Sequence, residues 1–226
     1  MVHAAYTWNL AAETARLGGS SAILTPDVDR AAPLWPASGS DRLDIEIVHS
    51  PARNLAELRK AAAELAAERG KTARRGGVVF TRIPPAWLDA SDAPDATHAN
   101  QDGGEADWIR WLLVFTSARR RDVEMTFERV RRWVHERPGV EVGVTIHGVH
   151  RIDEARRAFD DLARACEERL GLSLASYGLL VDDLDLYRAI AAGRPIGREN
   201  PNAPAARALT DAARLLYEDA RSRVLG

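Results

Sequence analysis

The feature that most constrains this chain is an alternation of short apolar runs with amphipathic segments, sustained from one end to the other. Apolar runs of about four to eight residues suit buried strands, and apolar residues at helical spacing suit helices lying on them. Strands are expected at 21–25, 43–48, 77–83, 108–115, 140–146 and 174–181. Helices are expected at 6–17, 54–69, 122–136, 152–170 and 184–192, with a last one from 203 to 223. Gly18, Gly70 and Gly193 fall where helices stop, and Pro84-Pro85 ends the third strand. Strands joined through helices pair in parallel, and a parallel sheet needs cover on both faces. The expectation is therefore an α/β chain in three layers, a mainly parallel sheet with helices on both faces.

At 226 residues the chain fits one domain, 1–226, with no internal repeat. Residues 89–107 are acidic, small and glycine-containing, which predicts a flexible loop within that domain. The net charge of -2 exerts no global pull on nucleic acid or anionic lipid. Cys166 is the single cysteine and cannot form an internal disulfide. No basic, apolar leader opens the sequence, and no apolar run nears the roughly 18 residues of a membrane span. These features together predict a cytoplasmic protein.

Three segments of the C-terminal third carry a family likeness. They are Gly143-Val-Thr-Ile-His147-Gly-Val-His-Arg151 with the helix after it, Ser176-Tyr-Gly-Leu-Leu-Val-Asp-Asp183 leading to Leu186-Tyr-Arg-Ala-Ile190, and Gly193-Arg-Pro-Ile196 followed by Asn200-Pro-Asn-Ala-Pro-Ala-Ala-Arg-Ala208. Further upstream, Asn9-Leu-Ala-Ala-Glu-Thr-Ala-Arg-Leu-Gly18 reads like the helix after a phosphate loop, 21–27 like the strand after it, and 78–85 like a Walker B strand. In this order the segments resemble the MinD/ParA class of P-loop ATPases, and within it the MinD-like regulators of flagellar number and placement. The resemblance implies a P-loop NTPase-like fold of MinD/ParA type lacking the P-loop strand.

It also implies that the nucleotide machinery is degenerate. A P-loop needs glycines, a Lys for the β/γ-phosphates and a Ser/Thr for magnesium. Aligned on Asn9-Leu10-Ala11, the Lys position falls at His3 and the Ser/Thr position at Ala4. The family's first "IDAD" Asp falls at Thr25, and its second is kept as Asp27. The Walker B Asp falls at Arg82, the adenine-reading Asn at His147 and the purine-loop Pro at Val181, while Asp183 is retained. A guanidinium in place of a carboxylate repels a cation. His3, Asp27, Arg82, His147 and Asp183 thus mark a vestigial nucleotide pocket, and the chain reads as a pseudo-ATPase with no cofactor.

Other patterns have plainer readings. Gly70-Lys71-Thr72 spells the end of a Walker A motif but leaves a helix and enters a strand, which makes it a helix stop. Arg82 suits an anion or a neighbouring carboxylate. His3, His147 and His150 lack metal-ligand spacing. Asp182, Asp183 and Asp185 lack the glycine and distal Glu of a calcium loop and suit helix capping. Arg119 to Arg121 and Arg131-Arg132 are interleaved with Asp122, Glu124, Glu128 and Glu136, as on a solvated helix face. Trp108, Trp111 and Trp133 suit core or interface packing. The end, Leu215 to Gly226, lacks the apolar stripe of a membrane anchor.

The expected function is a catalytically inactive regulator or scaffold acting through protein–protein contacts, in spatial control of flagella or another polar machine. Its partner would be an active MinD-like paralogue or a second copy; DNA and membrane are disfavoured. Two alternatives stand beside it. One is a divergent ATP- and magnesium-binding ATPase whose start is truncated or misannotated, and the other a nonspecific DNA-binding partition-type protein using the Arg-rich helix.

Overall fold

The computed structural model describes residues 2–29, 45–70, 77–84, 86–87, 111–136 and 139–225. The expected loop at 89–107, together with Trp108 and Lys71-Thr72, lies outside the described residues. The order is α1 (Val2–Arg16), β1 (Ser20–Pro26), a 3-10 turn (Asp27–Asp29), β2 (Ile45–Ser50), α2 (Leu55–Gly70), β3 (Gly77–Thr81) and β4 (Trp111–Ser117). There follow α3 (Arg120–Glu136), β5 (Glu141–Val149), α4 (Ile152–Leu170), β6 (Leu174–Val181), α5 (Leu184–Ala191), α6 (Ile196–Glu199) and α7 (Pro204–Leu225). Every expected element forms. α1 starts four residues before the expected position 6, and α6 had no periodic signal because it is one turn long.

Local chemistry sets several boundaries. Before α2, the Asn54 side-chain carbonyl accepts from the Glu57 amide at 2.9 Å, and the Glu57 carboxylate accepts from the Arg53 amide at 2.9 Å. This pairing, close to a capping box, satisfies amides the first turn leaves open. At the end of α4, Gly171 takes a left-handed φ of 62° and turns its amide back onto the Cys166 and Glu167 carbonyls.

All strand pairings are parallel, in the orders β2-β1-β3 and β4-β5-β6. Among the described residues the mainly parallel sheet is present as two three-stranded halves. The period-two alternation of each strand sends side chains to opposite faces. Trp111, Leu113 and Phe115 of β4 pack with Tyr6, Leu10, Tyr177 and Leu209 under α1 and α7. Leu112 and Val114 pack with Phe127, Trp133, Val144 and Leu162 under α3 and α4. In the other half, Ala22 and Leu24 meet α2 through Leu58 and Leu65, while Ile23 meets Trp8 and Ala11 of α1. This is the expected three-layer arrangement, with the core on both sides of the strands. No described helix is long and apolar enough to cross a membrane.

Candidate site at the carboxyl ends of the strands

Parallel strands bring all their carboxyl ends to one edge, where loops can converge on a ligand. The five sequence-derived residues follow that edge. His3 lies in the first turn of α1, Asp27 follows β1, Arg82 follows β3, His147 is near the end of β5 and Asp183 follows β6.

Three of them come together. The Nε2 atoms of His3 and His147 lie 3.3 Å apart, so one neutral imidazole donates to the other. The His3 ring stacks on Phe115 at 5.7 Å between centroids, and Tyr6 sits 5.8 Å from Phe115 and 5.4 Å from His147. Arg82 stands close enough to act on His3, as does Arg129 from α3. The Arg82 amide donates to the Leu24 carbonyl at 2.8 Å, which carries the β1–β3 ladder one residue past β3 and fixes the origin of this side chain. Thr25 is fully buried at the end of β1, and its hydroxyl has no hydrogen-bond partner among the described residues.

The charge state of the pair follows from its surroundings. His3 keeps an exposed edge, yet the packing around it strips enough solvent to push its pKa down to about 4, and His147, Arg82 and Arg129 push the same way. Burial also lowers His147, opposed by the Asp122 carboxylate. Both imidazoles are therefore neutral at pH 7, and the standing positive charge at the site is carried by arginine. Because the folded-state value of His3 lies below its unfolded value of 6.5, the unfolded chain takes up the proton first. Stability that is complete above about pH 6.5 should fall as pH drops toward 4. A urea midpoint measured from pH 7.5 to 4.5 checks this, and His3→Gln should flatten that part of the curve.

Asp183 does something different. Its Oδ1 accepts from the Asp185 amide at 2.9 Å, capping α5, and its Oδ2 accepts from the Ala205 amide at 3.0 Å at the start of α7. Asp185 in turn accepts from the Asn200 side chain at 2.9 Å. The acidic run is a brace between two helix starts, in line with its capping reading. Asp183→Ala should cost about 2 kcal/mol, roughly a cap plus one further buried hydrogen bond. Chemical denaturation checks the figure. Asp27 is exposed at the head of the 3-10 turn, and His150 lies 3.8 Å from Asp182, away from the other two histidines.

The basic runs on α3 are matched by its own acids, Arg120 with Glu124 at 2.8 Å and Arg131 with Glu128 at 2.7 Å. Trp133 is buried in the core under α3 and α4, and Trp111 is half-buried against the core under α1 and α7. Sequence reasoning missed Tyr6, Phe115 and Arg129. The first two carry ordinary core periodicity, and nothing in spacing tells a core aromatic from one lining a site.

No protein-family model matches the sequence, and no curated protein matches it. Solved structures do. The Pyrococcus furiosus cell division ATPase MinD superposes with a TM-score of 0.56 at 13% identity, over 95% of this chain and 92% of that one. The Pyrococcus horikoshii OT3 septum site-determining protein MinD, solved with Mg-ADP, superposes with a TM-score of 0.56 at 11% identity, over 94% and 89%. The fold is MinD-like. At this identity the likeness concerns the path of the chain and not the chemistry of its site. It extends over nearly the whole length of both proteins, so the MinD-like fold accounts for both half-sheets and all three layers.

Proposed function

We propose that this chain is a MinD-like regulatory or scaffold protein that does not turn over ATP and works through protein–protein contacts. Its partner is an active MinD-like paralogue or a second copy of itself. The observation that carries this reading is the donor set at the strand ends. The Pyrococcus horikoshii neighbour holds Mg-ADP in this fold. Magnesium takes oxygen ligands in a strict octahedron, usually carboxylates and phosphates with water. Here the converging groups are two neutral imidazoles and the Arg82 guanidinium. The Asp122 carboxylate near His147 is engaged by the Ser117 hydroxyl. These residues do not fit a magnesium–nucleotide site, and no hydrolytic step follows from them.

The setting we assign is spatial control, of flagella or another polar machine, and it rests on the resemblance of 143–151, 176–190 and 193–208 to regulators of that kind. Phosphate release from ATP with magnesium tests the noncatalytic part. The expected rate equals that of a matched blank. Turnover that is sustained and disappears in Arg82→Ala would contradict the proposal. For the setting, a deletion strain is expected to misplace its flagella or polar structures; parental placement would remove that part.

A further inference from the structure

The arginines of α4 other than Arg156 are engaged locally. Arg157 pairs with Asp153 at 3.4 Å, Arg164 pairs with Asp161 at 3.6 Å, and Arg169 lies over the Phe127 ring. Arg156 and Asp160 are exposed, one turn apart on the same face, and neither makes an ion pair among the described residues. An arginine ahead of an aspartate at this spacing is the weaker order for pairing within a helix.

The two charges stand over a groove of about 200 Å³ between α4 and β6. Ile146, Ile152, Phe159 and Leu179 give it an apolar lining, and Ser176 and Gly178 open its strand side. Ile152 is 71% exposed, although it is large and apolar. Ala175, Ser176 and Gly178 are exposed as well, and nothing lies within 4 Å of where a Cβ on Gly178 would point. Among the described residues β6 pairs on one side only, with β5. Its outer edge is ill suited to a further strand. The ladder shifts between Val144 and Ile146, where two residues of β6 stand against one of β5, and such a bulge breaks the run of evenly spaced backbone groups. A helix can cover this edge where a strand cannot.

The geometry points to a two-fold contact between copies of this chain, in which the first half of α4 lies antiparallel on the same segment of a second copy over the β6 edge. A two-fold axis sets one residue against another and repeats the contact in reverse. Passing between Arg156 and Asp160, it places Arg156 against Asp160 of the partner subunit, and Asp160 against the partner's Arg156. Phe159 lies between the two ion pairs, and Ile152, one turn ahead of Arg156, extends the apolar contact. Ser176 and Gly178 line the groove together with Arg156 and Asp160, so the axis passes over small residues that let a helix come close. The occupant is a second copy because the face carries its own complement, one cation and one anion a turn apart, which an antiparallel copy matches without any further residue. The contact rests on the reading that the chain works through protein contacts and takes its second-copy branch; it does not depend on ATP turnover.

Sedimentation equilibrium of the whole chain without nucleotide tests it. Two half-helix faces make a small interface, so mass should rise from monomer at about 1 µM toward dimer at about 300 µM. Arg156→Asp and Asp160→Arg should each raise the dissociation constant at least about tenfold, since each sets like charges face to face. Mixed in equal amounts, these two variants should associate with each other, because their faces are then opposite in sign throughout. Both changes in one chain should restore association to about the parent level. Ile152→Asp should weaken association while the fold is kept, as an acid suits the first turn of a helix. A parent that stays monomeric at about 300 µM overturns the contact and leaves a paralogue as the partner. A dimer indifferent to both single variants overturns it too, as do single variants that fail to associate in the mixture. Phosphate release on the same samples separates the two readings, because turnover by an intact dimer would overturn the noncatalytic reading and not this contact.

Discussion

Gly143→Val is expected to destabilise the protein by about 3 kcal/mol or more, leaving most of it insoluble or unfolded at 37 °C. Gly143 lies inside β5, on the face where Tyr177 of the neighbouring β6 lays its ring. A Cβ at Gly143 would run into the edge of that ring rather than into open space. The ring cannot easily step aside. Tyr177 is 2% exposed, its phenol donates to the Asp219 carboxylate on α7, and Trp111 packs on it at 5.5 Å between centroids. With natural stabilities of about 5–15 kcal/mol, a loss of that size removes a large share of the margin. Gly143→Val combined with Tyr177→Ala should recover part of the loss, because the two changes act on one space. Chemical denaturation of the single and double variants reads the coupling.

Leu10→Ala is expected to cost about 2–5 kcal/mol, the range for emptying a closed core site. Leu10 is fully buried at the middle of α1, in the cluster that also receives Phe80 from β3 and Trp111, Leu113 and Phe115 from β4. Among the described residues the two half-sheets share no strand pairing, so this seam of α1 and α7 carries much of what holds them together. The variant should therefore also lose cooperativity. A lowered denaturant slope, or separate transitions for amides of β1 and β5, would show it; a parallel shift of one transition would show that the halves are coupled elsewhere.

The three-layer α/β plan was legible because it depends on periodicity, and 152–170 and 174–181 fall where the sequence places them. Boundaries drifted where chemistry and not periodicity decides them. Asn54 reads as a helix start and is instead its cap, and β4 runs on to Ser117, past the expected end at 115. The order of the strands within each half was not legible, since strand order arises from contacts between segments far apart in the chain. His3, Arg82 and His147 lie near one another at the strand ends, and their closeness had no signal in spacing, with His3 and His147 separated by 144 positions. Asp183 followed the plainer of its two readings, because a carboxylate ahead of a helix meets two open amides before it meets any ligand.

The measurement that bears most directly on the noncatalytic reading is titration of the purified chain with ATP and magnesium, and separately with ADP, by calorimetry, with mass followed in the same samples. The account predicts no heat beyond dilution and no change in mass. Micromolar binding accompanied by a shift to a dimer would mean that His3, His147 and Arg82 line a working nucleotide site, and would contradict it.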